Sequence, residues 1–113
     1  MSTEFERAPQ KYLDGDCPDA VLAIYDDPQS TDRYTIFYTR IDYDADTRTR
    51  WIAYRAASEN PSAPTGIGLL GQMDTHEARQ FRNKSSNQYT HWTQLPAPVK
   101  DTVKQDINAL AQG

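Results

Sequence analysis

Three runs of β-branched and aromatic residues follow one another closely, each ended by a short polar break, and this rhythm restricts the fold more than any other feature of the chain. The first, "AVLAIYDD" (20–27), puts Val21, Ala23 and Tyr25 on one side and Leu22 and Ile24 on the other. Being apolar on both sides, it reads as a strand buried on both faces. In "RYTIFYTR" (33–40), Tyr34, Ile36 and Tyr38 alternate with Thr35, Phe37 and Thr39, the period-2 pattern of a strand. "RTRWIAYRAAS" (48–58) opposes Trp51, Ala53 and Arg55 to Ile52, Tyr54 and Ala56, predicting a third strand. "DPQSTD" and "DYDAD" are expected as turns, the first closing a hairpin. "QYTHWTQL" (88–95) alternates in the same way and is expected as an edge strand.

A sheet with one apolar face needs a cover, and the C-terminal segment supplies one. Val99, Val103, Ile107 and Leu110 recur at helical spacing, with Lys100, Asp101, Lys104, Gln105 and Asn108 opposite them. That is one apolar stripe of a helix, with Pro98 suited to its first turn. An aspartate at Ile107 should therefore unfold the domain. A shorter helix is expected near residues 75–82, where Asp74 as N-cap and Glu77 three positions on resemble a capping box. Together these give an α+β fold: a small, mainly antiparallel sheet of four to five strands packed against one C-terminal helix. Residues 1–18, with Pro9, Gly15 and Pro18 and no periodicity, are expected as a flexible or loosely docked arm. Residues 19–113 form the single domain.

"NPSAPTGIGLLGQM" (60–73) contains Gly66, Gly68 and Gly71 as G-x-G-x-x-G. That pattern cradles a pyrophosphate only where a parallel strand enters it and a helix begins at the last glycine. Here two prolines precede it and Gln72 and Met73 follow, so the expected role is a loop that returns Ile67, Leu69 and Leu70 to the core. Should it hold a small ligand or nucleotide, Gly66, Gly68 and Gly71 would act with His76, Arg79 and Arg82.

Catalytic and metal-binding patterns are sparse. His76, His91 and Cys17 match no zinc spacing, and no serine stands in a G-x-S-x-G elbow. No cofactor, metal or catalytic residue is expected. Cys17, the one cysteine, lies among Asp14, Asp16 and Asp19, and nearby negative charge disfavours a thiolate. No apolar run approaches the roughly 18 residues of a membrane span, so a cytoplasmic location is expected, with no membrane partner. Tyr34, Tyr38, Trp51 and Tyr54 lack a surrounding basic stripe and are assigned to packing, so direct contact with nucleic acid is not expected. Arg48, Arg50 and Arg55 are expected to pair with acids on a neighbouring strand.

The formal net charge is −4, and residues 1–46 hold 11 acids against 4 bases. Acidic turns of this kind can occupy a basic groove on another protein, and Asp26, Asp27, Asp42, Asp44 and Asp46 are the contact candidates. "DCPDAVLAIYDD", "DRYTIFYT", "WIAYRAASENPSAPTGIG" and the "WTQLP" before the last helix together resemble small uncharacterised proteins of bacterial plasmids, integrative conjugative elements and prophages. "GQMDTHE" after the glycines departs from that pattern. The resemblance implies a non-enzymatic accessory protein of a phage or plasmid. Such a protein would bind a host protein or protein–nucleic acid complex, as an inhibitor of a defence system such as CRISPR does. It implies no reaction and no catalytic residues.

Overall fold

The period-2 runs form strands as their alternation demands. In a computed structural model, which describes residues 6–61, 66 and 68–112, β1 (Val21–Asp26), β2 (Tyr34–Asp44), β3 (Thr49–Ala57) and β4 (Gly68–Asp74) make one antiparallel sheet in the order β1-β2-β3-β4. Two helices, α1 (Thr75–Lys84) and α2 (Ala97–Gln112), complete an α+β fold.

The helices lie on opposite faces of the sheet. Tyr54 and Arg55 are neighbours on a regular strand and so point to opposite sides. Tyr54 pairs with Phe37, whose ring meets Phe81 of α1 edge-on at 5.6 Å. Arg55 instead reaches Asp106 of α2, 2.8 Å from Nε to Oδ2. Two covers explain why Val21 to Tyr25 are all buried. The α2 stripe is led by Val99 and Val103, both fully buried, while Ile107 and Leu110 are half-buried at its edge. The position most sensitive to charge is therefore Val103 rather than Ile107.

α1 starts where expected. Asp74 caps it, its Oδ1 accepting from the His76 amide at 2.7 Å. The helix runs two residues past the expected end, to Lys84.

Four expectations are corrected. "IDYD" is strand, because β2 continues to Asp44 and the turn begins only at Ala45. The glycine stretch is not a loop from Gly68 onward. It is edge strand β4, in unbroken register with β3, and it leaves Leu69 54% exposed instead of returning it to the core; Ile67 lies outside the described residues. "QYTHWTQL" keeps only one bridge, Tyr89 to Tyr25, before a 3₁₀ turn at Trp92–Gln94. Burial of the Trp92 indole, whose Nε1 donates to Asp16 at 2.8 Å, diverts the chain there. Finally, residues 6–18 are packed: Ala8 and Leu13 enter the core, and Tyr12 stacks on Tyr89 at 5.1 Å. Residues 1–5 of the expected arm lie outside the described residues.

Candidate functional site

At one end of the sheet, the β2–β3 hairpin carries large apolar side chains that the helices leave uncovered. Its register pairs Ile41 with Ile52, Asp42 with Trp51, Tyr43 with Arg50 and Asp44 with Thr49. Alternation therefore puts Ile41, Tyr43 and Arg50 on the α1 face and Asp42 and Asp44 on the α2 face. Tyr43 is 61% exposed and Ile41 40%. Among the described residues, these two and Leu69 are the exposed large hydrophobics.

The tip is fixed by its own hydrogen bonds. Asp44 Oδ1 accepts from the Asp46 amide at 3.0 Å, and Thr49 Oγ1 donates to the Thr47 carbonyl at 3.2 Å. Arg48 closes the turn at φ 56°, a left-handed conformation that costs a non-glycine residue about 1 kcal/mol. Arg40 anchors the base of the arm, donating to the Leu110 carbonyl at the end of α2 and to Asp42 at 3.3 Å. Gln72 Nε2 adds a 2.7 Å bond to Asp42. Beside the tip, a groove of about 310 Å³ is lined by Tyr43, Arg48, Arg50, Asp74 and His76 among others.

The five candidate aspartates do not converge. Asp42, Asp44 and Asp46 share the arm, whereas Asp26 pairs with Tyr34 at the far end of β2, roughly 33 Å away at strand rise. Asp26 is also already engaged: Arg33 holds both its oxygens, at 2.7 and 3.0 Å, and donates to Glu59 as well. Asp27 Oδ1 accepts from the Gln29 amide at 3.1 Å. These two acids shape the β1–β2 turn. Of the five, Asp46 is exposed, while Asp42 and Asp44 are half-buried like Asp26 and Asp27.

The alternative ligand set is dispersed too. Gly66 borders a polar groove of about 350 Å³ with Arg33 and Glu59. Gly68 and Gly71 lie within β4, and His76 stands beyond its opposite end, its Nε2 3.3 Å from Gln80 Nε2. Arg82 is committed to Tyr25 Oη at 2.9 Å and to the Glu6 carbonyl at 2.8 Å. Arg79 projects from the exposed side of α1 and has a partner of its own. The helix after the glycines begins at Thr75, not at Gly71, so its amide ends do not face the glycine turn.

Other reactive side chains are held apart. His91 Nδ1 lies 2.9 Å from the Lys11 carbonyl. The Cys17 thiol is pushed up to about 11, mainly by burial, with Asp16 and Asp19 adding to the effect and Arg7 opposing it; the neighbouring acids are thus the lesser cause. Among the described residues, no group of three or more His, Cys, Asp or Glu could hold a metal. No described helix is long and apolar enough to cross a membrane.

One buried polar cluster was not foreseen. Asp106, only 3% exposed, accepts from Tyr38 Oη at 2.6 Å and from Arg55 Nε and Nη2 at 2.8 and 2.5 Å. Arg55 thus pairs with the helix above it, not with an acid on a neighbouring strand. Burial first, then the Asp106 carboxylate, raises the Tyr38 phenol far above its ordinary range. The three bonds to Asp106 join sheet to helix. Its signal lay in the sequence, because Asp106 falls on the same helical face as Val99 and Val103. No known protein family, curated protein or solved structure matches this chain.

Proposed function

We propose that the chain is a non-enzymatic binding protein that attaches to a macromolecular complex of its host cell through the β2–β3 arm. Such a protein would serve a phage or plasmid, for example by occupying a defence complex such as a CRISPR effector. The observation that carries this reading is the arm itself: Tyr43 is 61% exposed on one face, and three aspartates lie on the other face and at the tip. Exposed tyrosine beside arginine is the composition of an interface hot spot. Asp42, Asp44 and Asp46 would meet a basic rim and steer the encounter. The turn bonds at Asp44 and Thr49 pre-order the tip, which lowers the entropic cost of docking.

The test is capture of a partner from the native host by the wild-type chain, by Tyr43→Ala and by Asp42→Lys/Asp44→Lys/Asp46→Lys. Both variants should lose the partner. Tyr43→Ala keeps wild-type circular dichroism and stability, whereas the triple reversal also loosens the arm through Asp42 and Asp44. Asp26→Lys should lose stability through Arg33 with capture retained. Retained capture by both arm variants would remove the arm from the interface.

A further inference from the structure

The two edges of the sheet are treated differently. Along β1 the outer edge is closed: the Ala8 amide donates to the Leu22 carbonyl at 2.9 Å, Asp26 to Gln88 at 2.9 Å and Thr90 to Ile24 at 3.0 Å. Along β4, no strand among the described residues pairs with the outer edge. The usual protections of an open edge are a lysine, a proline or a bulge. β4, "GLLGQMD", has none of them, and its seven pairs with β3 are continuous.

We infer that β4 pairs antiparallel with β4 of a second copy about a twofold axis at Gly71, making a continuous eight-stranded sheet. In this register the edge meets itself with like faces together, which its one-residue neighbours do not allow. Leu69, Gly71 and Met73 share the α1 face, opposite Ala56, Tyr54 and Ile52 respectively. With Gly71 opposite its copy, the half-exposed Leu69 meets Met73 of the second chain, twice by symmetry. Leu70 meets Gln72 on the other face. A slip of one residue would join the α1 face of one copy to the α2 face of the other.

Charge agrees with the register, which sets Asp74 of one copy opposite Gly68 of the other. Behind Gly68, Arg55 Nη1 lies 3.2 Å from where a Cβ would stand, and this nitrogen is not one of the two that hold Asp106. A Cβ at Gly71 would make only ordinary contact within its own chain, 3.7 Å to Tyr54, so the axis position accepts a side chain. The occupant is thus a second copy of this chain, and the arm stays outside the pairing.

Sedimentation equilibrium of the full chain tests this. The wild type should dimerise at concentrations below about 100 μM, and Leu69→Lys, a change at an exposed position, should weaken dimerisation at least tenfold. Gly71→Cys in a Cys17→Ser background should oxidise to a covalent dimer, because directly opposed antiparallel residues stand within disulfide reach. A wild-type monomer throughout that range overturns the inference, even if it takes up an extended apolar peptide along β4. So does a dimer that Leu69→Lys leaves intact and that Gly71→Cys does not cross-link.

Discussion

Replacing Asp106 by alanine removes the one carboxylate that both Tyr38 and Arg55 use. The Arg55 side chain is 14% exposed, so its charge has little access to water once the partner is gone. Breaking a buried pair from one side costs about 3–5 kcal/mol, because the remaining charge is left uncompensated. Partial exposure of the guanidinium favours the lower end, near 3 kcal/mol. At roughly 4 °C per kcal/mol for a domain of this size, the melting temperature should fall by about 12 °C.

Arg55→Met with Asp106→Leu removes both charges and orphans only the neutral Tyr38 hydroxyl, so the double variant should recover part of the loss. The assay is urea unfolding followed by circular dichroism for the wild type, Asp106→Ala, the single variants Asp106→Leu and Arg55→Met, and the double variant. A loss under about 1 kcal/mol for Asp106→Ala, or single losses that simply add in the double variant, would refute the reasoning.

Three shorter predictions follow from the same geometry. Burial raises the Tyr38 phenol above its ordinary value, so the unfolded chain releases that proton first. The stabilisation is complete below about pH 10 and declines as pH rises, by up to about 1.4 kcal/mol per pH unit. In a Cys17→Ser background, Tyr38→Phe should flatten the alkaline limb of stability against pH, leaving the contributions of Tyr25 and Tyr34, which burial also raises. Val103→Asp, at a site with no exposure, should abolish the cooperative thermal transition, while Ile107→Asp at the half-buried edge should only lower its midpoint. With its thiol raised from 9.0 to about 11, Cys17 should react with iodoacetamide at pH 8 about 100-fold more slowly in the native protein than in urea.

The parts of the fold that rest on local periodicity were legible in the chain. β2 and β3 alternate and β1 is a continuous apolar run of strand length, and α2 carries an apolar stripe at helical spacing. The Asp74 cap was visible because a capping aspartate acts within its own turn. What escaped depends on tertiary context. Gly68 and Gly71 lower strand propensity, yet pairing with β3 overrides it. "QYTHWTQL" has strand alternation, but Trp92 is worth more in the core, bonded to Asp16, than in an edge ladder.

At the candidate site the acidic residues were legible as a set but not as a place. Two of the five belong to the β1–β2 turn, and only register shows that the other three share an arm with Tyr43. The Asp106 cluster needed one further step: an acid on a buried helical stripe requires a buried donor, and Tyr38 and Arg55 were the inward-pointing candidates.

If the arm holds the partner, position 43 lies at the interface. A photo-cross-linking amino acid placed at position 43, and for comparison at Asp101 on the exposed side of α2, tests it most directly in the native host. Position 43 should give a cross-linked complex, lost on reversing Asp42, Asp44 and Asp46, and position 101 should give none. Equal cross-linking from both positions, or a complex indifferent to those reversals, would contradict it.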